Sequence, residues 1–222
     1  MDAIEAVIFD FGGVITTSPF ERFAALERAR GLPEGLVRQI NSTNPDTNAW
    51  AQIERADIDR AAFDEAFAAE AAALGHELRG ADVLACLSGT LRPGMVAALD
   101  TIRGAGMKLG CITNNAPAGQ GPGMASDAEG ALRLAPVFDR FDHVIESAKA
   151  GLRKPDPRIY MMMCEALEVV PAACVYLDDL GINCKPAAQL GMVAIKVTGE
   201  EQALRDLSQA IGIDLSVTEA TA

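Results

Sequence analysis

Asp10 ends the apolar run Ala6-Val7-Ile8-Phe9, and Thr113 ends the run from Lys108 to Ile112. Lys154 lies a loop beyond His143-Val144-Ile145, and Asp178-Asp179 close the run Cys174-Val175-Tyr176-Leu177. If these runs are strands of one parallel sheet, the polar residues meet at the strands' carboxyl ends, where open α/β sheets bind ligands. Three carboxylates gathered there would repel and raise one another's pKa unless a cation sat among them. Hard oxygen donors at that density suit Mg²⁺. Thr113 would add a hydroxyl and Lys154 a positive charge, so that a phosphate could be shared between metal, ammonium and hydroxyl. Taken singly, each residue has a plainer role. An Asp or Thr after a strand commonly makes a turn or a helix cap, and a Lys before a helix is commonly solvated. Two adjacent acids at a buried strand end are harder to explain that way. All four positions in this order point to a metal–phosphate site.

The elements that must position these residues are legible. The apolar runs barely alternate, as expected of parallel strands covered on both faces, and Met192 to Val197 is a fifth such run. Between them, Pro93 to Ala105 puts Met95, Leu99 and Ile102 on one helical face, with Gly106 as a stop. Asp156-Pro157 reads as an N-cap and first helical residue for a helix carrying Ile159, Met163, Leu167 and Val170. A further helix runs from about Asn183 to Gly191. The pattern is α/β, a doubly wound parallel sheet. Residues 18–88 break it with helical spacing alone: Phe20, Phe23 and Leu26, then Asp59 as a cap before Phe63 and Phe67. This stretch is expected to be a small all-helical cap subdomain inserted into a core made of 1–17 and 89–222. Asn114 to Asp127, rich in Gly and Pro, reads as a long loop of the kind that serves a site. The tail after Ser216 is expected to fray.

Half of the 222 residues are apolar, enough for one large domain or a core with an insertion. The net charge of −12 argues against nucleic-acid or membrane-surface partners, which favour a basic face. Five scattered cysteines with no C-x-x-C pair argue against a disulfide framework or structural zinc, and Cys111, Cys164 and Cys174 read as small core residues. With no basic leader and no apolar run near ~18 residues, a reducing, cytoplasmic setting is expected.

Four stretches resemble the motifs of the haloacid dehalogenase superfamily: Phe9 to Ile15, Ile112 to Asn115, Gly151 to Tyr160, and Leu177 to Asn183. The likeness spans about 1–200, with a helical cap of the C1 kind, and Leu177 to Met192 is similar to the branch containing the N-terminal phosphatase domain of soluble epoxide hydrolase. The resemblance implies that Asp10 attacks phosphorus, forms an aspartyl-phosphate and ligates Mg²⁺. It implies a second ligand in the Gly12 carbonyl, a direct ligand in Asp179, and Asp178 acting through water. Thr113, with Asn114 beside it, would bind phosphoryl oxygens, and Lys154 would neutralise charge. Asn183 would either order the loop or cap the next helix.

One position departs from the pattern. Phosphatases of the superfamily usually carry a second Asp two residues after the nucleophile as general acid and base, and here that residue is Gly12. Losing such a group could cost about 10²–10⁴ in rate. A cap residue such as Asp46 or His76 could supply the proton, or the substrate could carry a good leaving group. Alternatively, the protein could bind phosphate compounds and hydrolyse them poorly. The leading expectation is a phosphatase for a small phosphorylated metabolite. A metal-independent dehalogenase fits less well because Asp178-Asp179 is intact. A phosphonate-cleaving enzyme would need a cap lysine, and Pro19 to Ser88 holds none. Asn44, Asp46, Asn48, Trp50 and Arg55 are cap candidates for specificity, with core packing the plainer role for Trp50 and a surface ion pair that for Arg55.

Overall fold

The computed structural model describes residues 3–115, 121–125 and 128–216. Five strands, β1 (Ala6–Phe9), β2 (Lys108–Thr113), β3 (His143–Glu146), β4 (Cys174–Asp178) and β5 (Val193–Lys196), form one all-parallel sheet in the order β3-β2-β1-β4-β5. Successive side chains of a strand point to opposite faces. Val7, Phe9, Leu109, Cys111, Val175 and Leu177 therefore enter one apolar layer, while Ala6, Ile8, Ile112, Cys174 and Tyr176 enter the other. Both faces being dry explains why the runs do not alternate. The first layer is closed by α6 (Pro93–Gly104) and α11 (Glu200–Ile211), the second by α9 (Pro157–Ala166) and α10 (Gly181–Gln189). Met95, Leu99 and Ile102 of α6 are fully buried, each worth about 1.5–3 kcal/mol of apolar transfer.

Asp156 caps α9 by accepting from Arg158 N, and Pro157 takes the first helical position. That helix ends at Ala166, so Val170 lies beyond it and is exposed, a correction to the expected face. The tail after Ser216 lies outside the described residues, as does half of the expected loop, at 116–120 and 126–127; Ala128–Phe138 forms a helix, α7. A four-residue turn of helix, α8 (Ser147–Ala150), follows β3.

Residues 18–88 contain helices only: α1 (Phe20–Ala29), α2 (Leu36–Ser42), α3 (Ala49–Glu54), α4 (Arg60–Ala73) and α5 (Gly80–Leu84). Asn48 caps α3 by accepting from Ala51 N at 2.8 Å, and Asp59 caps α4 by accepting from Ala62 N at 2.9 Å. These helices bury their own apolar cluster around Phe23, Ile40, Ile53, Phe63 and Phe67. Two chain crossings tie them to the sheet. Thr16 and Leu91 pair as an antiparallel bridge, and Thr17 N donates to Thr90 O at 2.8 Å. No helix among the described residues is long and apolar enough to cross a membrane.

Candidate active site

β1 is the strand at which the sheet's order reverses, β2 and β3 lying on one side and β4 and β5 on the other. Such a switch point opens a crevice at the carboxyl ends. Asp10 stands there because the ladder continues one residue past β1: its N–H donates to Leu177 O at 2.8 Å. One carboxylate oxygen, Oδ1, accepts from Phe11 N at 2.6 Å and lies 2.8 Å from Lys154 Nζ. Among the described residues no donor reaches Oδ2. The chain then turns sharply through Gly12 and Gly13, and Thr16 N closes the turn onto Phe11 O at 3.0 Å. Gly13 has φ +81°, and a Cβ there would overlap the Asp179 carboxylate, so both the turn and the close approach require glycine.

Asp178 is fully buried and saturated with donors. Oδ2 accepts from Lys154 Nζ at 2.9 Å and from Tyr176 Oη at 2.5 Å. Oδ1 accepts from Leu180 N at 2.8 Å, and Asn183 Nδ2 lies 3.1 Å from both oxygens. Asn183 is therefore inside α10, whose N-cap is Leu180, and it orders the acidic loop instead of capping. Asp179 is partly open and, among the described residues, accepts a single side-chain hydrogen bond, from Ser18 Oγ at 2.9 Å. Asp178 has no acceptor capacity to spare, whereas Asp179 does. Thr113 ends β2, buried, and its hydroxyl makes no hydrogen bond among the described residues. Asn114 spends its amide on the backbone of Lys154: Oδ1 accepts from Lys154 N at 2.9 Å and Nδ2 donates to Lys154 O at 3.0 Å.

One oxygen from each of Asp10, Asp178 and Asp179 can be chosen within 4.8 Å of the others. Three carboxylates against the single Lys154 ammonium leave an excess of two negative charges, the charge of one divalent cation. The crowding of negative charge shows in the acids. Burial pushes the Asp10 carboxyl well above the usual carboxylate range against the pull of Lys154, and Asp178 and Asp179 push it further. Burial, then Asp178, raises Asp179 too. Burial alone would lower the Lys154 ammonium, but Asp10 and Asp178 outweigh it and hold the group protonated. The all-oxygen donor set and the charge both fit a hard divalent ion.

The profile of the haloacid dehalogenase-like hydrolases matches residues 4–191. The chain belongs to this family. As a haloacid dehalogenase-like hydrolase it is 31% identical over 232 residues to Bifunctional epoxide hydrolase 2 of Sus scrofa, covering 98% of this chain and 40% of that one. It is 32% identical over 214 residues to Phosphatase MT3486 of Mycobacterium tuberculosis, covering 93% and 94%. The chain spans two fifths or less of the length of several of the curated relatives it matches. Among solved structures, a HAD-family enzyme of Bacteroides thetaiotaomicron, in complex with magnesium and inorganic phosphate, has the same fold, with a TM-score of 0.57 and 18% identity over 87% of this chain and 94% of that one.

Other members of the site were not legible in the hydrolase's sequence. Tyr176 and Ser18 grip the acidic pair, and Glu54 reaches the Lys154 loop from the helical insert, its carboxylate 2.6 Å from Arg153 Nε. Of the two candidates for a replacement acid, neither Asp46 nor His76 uses its side chain to bond any strand-end residue among those described. Asn48 is spent on its cap and on the carbonyls of Asn41 and Thr43. Trp50 packs edge-on against Phe23 and Phe63, and Arg55 pairs with Asp57 at 2.8 Å. Asn44 turns the chain at φ +49°.

Proposed function

We propose that the protein is a Mg²⁺-dependent phosphatase for a small phosphorylated metabolite, working through an aspartyl-phosphate on Asp10. The observation that carries it is the Asp10 carboxylate, pinned through one oxygen by Phe11 N and Lys154 and, among the described residues, free at the other, beside two more acids that a divalent cation would balance. Two relatives that the chain matches nearly end to end are named as phosphatases, Phosphatase MT3486 and, at 27% identity, Sesquiterpene phosphatase astK of Aspergillus oryzae.

In this reading Asp10, the Gly12 carbonyl and Asp179 would hold the ion, while Asp178, its oxygens filled by Lys154, Tyr176, Leu180 and Asn183, would add charge and anchor Lys154. The bound ion supplies charge neutralisation at the phosphoryl oxygens. Thr113, whose hydroxyl has no partner among the described residues, donates to a phosphoryl oxygen, and Lys154, together with the cation, favours the ionised nucleophile and offsets charge gathered in the transition state. Asp10 forms a bond to phosphorus as the bond from phosphorus to the leaving oxygen breaks. Water then attacks phosphorus, releasing inorganic phosphate and restoring the carboxylate. Residues 18–88 serve as the cap over a core of 1–17 and 89–222, excluding bulk water from the acyl phosphate. The unpaired cysteines fit a reducing, cytoplasmic setting.

Gly12 favours a second reading, a phosphate-compound-binding or regulatory protein of low turnover. One experiment separates the two. An aryl phosphate should be hydrolysed with added Mg²⁺, not after chelation, and Asp10→Asn should abolish turnover. Full activity in Asp10→Asn, or turnover indifferent to Mg²⁺, would sink the mechanism.

A further inference from the structure

Two acids of the helical insert are buried: Glu27 is held within the insert, whereas Glu54, besides the Trp50 side chain of its own helix, meets partners from the core. Glu27 accepts from Gly35 N and Val37 N, both at 2.8 Å, and so fastens the start of α2. Glu54, at the end of α3, is 6% exposed and faces out of the insert toward the core. Its Oε2 lies 2.6 Å from Arg153 Nε and 3.4 Å from Asn114 Nδ2. Arg153 precedes Lys154 in the chain, and its NH1 donates to Pro45 O of the insert at 2.9 Å. Asn114 holds both the N–H and the carbonyl of Lys154. On the outer side of this seam a cleft of about 410 Å³ is bordered by Asp46, Arg55, Arg153 and Arg158. Burying a carboxylate without partners is costly. Among the described residues, every partner that the core offers to Glu54 belongs to the two segments that hold Lys154.

We propose that Glu54 is a positioning residue for Lys154, acting through Asn114 and Arg153, so that the lysine is set between Asp10 and Asp178 only while the helical insert is docked. Lys154 Nζ makes its two short contacts from a loop, not from a regular element, and a loop needs an outside brace to hold an ammonium to a few tenths of an ångström. Asn114 is that brace, and Glu54 fixes the orientation of its amide by accepting the remaining Nδ2 hydrogen. Arg153 supplies the charge that lets Glu54 stay buried. Docking of the insert and readiness of the phosphate-facing lysine are then one event.

This inference rests on the phosphatase reading, and its test separates the two. Steady-state turnover of an aryl phosphate at saturating Mg²⁺, the Kd for inorganic phosphate, and Tm are measured for the full chain, Glu54→Gln, Arg153→Met, the double variant, and Phe67→Ala. Phe67 is buried in the insert's apolar core, on α4, and carries no polar group that could join this network. The expected result is a loss of about tenfold or more in kcat, with weaker phosphate binding, in Glu54→Gln. The double variant should be little worse than either single one, because the pair acts as a unit. Phe67→Ala should lose Tm while keeping kcat. Wild-type kcat and phosphate affinity in Glu54→Gln would overturn the inference and leave the phosphatase reading intact, as would losses of kcat that track Tm across all variants including Phe67→Ala. A wild-type chain that neither hydrolyses nor binds phosphate would overturn the phosphatase reading itself, and this inference with it.

Discussion

A side chain at residue 12 would meet open space: nothing lies within 4 Å of a Cβ built on Gly12, and its φ of −71° and ψ of 127° suit any residue. The missing acid is therefore a missing side chain, not a collapsed site. With no proton donor there, turnover should fall steeply from aryl to alkyl phosphates as the leaving oxygen becomes more basic. Gly12→Asp should raise alkyl-phosphate turnover by about 10²-fold or more and change aryl-phosphate turnover little. Equal wild-type rates on both classes would show that another group already donates the proton. At this scale the sequence was informative where chemistry and element coincide. Asp10, Thr113 and Asp178-Asp179 stand directly at the ends of apolar strands, and no periodic role explains them. Glu54 was silent because a single acid on a helix reads as a solvated residue. Its spacing of four from Trp50 put it on the inward face, which is the one signal that could have singled it out. Tyr176 gave a similar signal, being a hydroxyl in a dry strand two residues before Asp178 and so on the same face. What each of these side chains meets is a tertiary fact that spacing does not carry.

Elements carry the site by their ends. The five strands follow the apolar runs because a strand buried on both faces leaves a run of unbroken hydrophobicity, and the helix caps Asp59 and Asp156 were legible from local chemistry. The end of α9 was not: Leu167 and Val170 continue the helical spacing, but the chain turns through Glu168 at φ +53°, and the periodicity outlasts the helix. Within the insert, α4 and α5 are joined by Asp64, which accepts from Ala81 N at 2.9 Å and pairs with Arg79. The Ala81 N–H and then Arg79 hold its carboxyl below the usual range. A folded-state pKa lowered in this way adds stability above the unfolded value of about 3.9, and that stability is lost as the pH falls through the folded value. Asp64→Asn should therefore lower Tm at neutral pH, and the gap to wild type should close on acidification well below about pH 4. A gap that stays constant across that range would remove Asp64 from the account.

On the scale of the molecule, the sheet order places β1 between two halves, and everything polar and buried in the crevice gathers at that one reversal. The net charge of −12 favours cations over polyanions as partners of the chain as a whole. On the proposed reading, Mg²⁺ in the crevice should stabilise the fold, because it would bind a cluster that only the native chain assembles. At a hundredfold excess over Kd the gain is about 2.7 kcal/mol, or roughly 5–10 °C in Tm for a chain of this size. Asp179→Asn should remove most of that rise, and an unchanged wild-type Tm with Mg²⁺ would show that the cluster is not a metal site. The measurement that bears most directly on Asp10 itself is a rapid quench of the enzyme turning over an aryl phosphate with Mg²⁺, followed by peptide mass analysis. The account predicts one phosphoryl group on the peptide carrying Asp10, absent in Asp10→Asn. A phosphoryl group on another residue, or steady turnover with no adduct at any quench time, would contradict it.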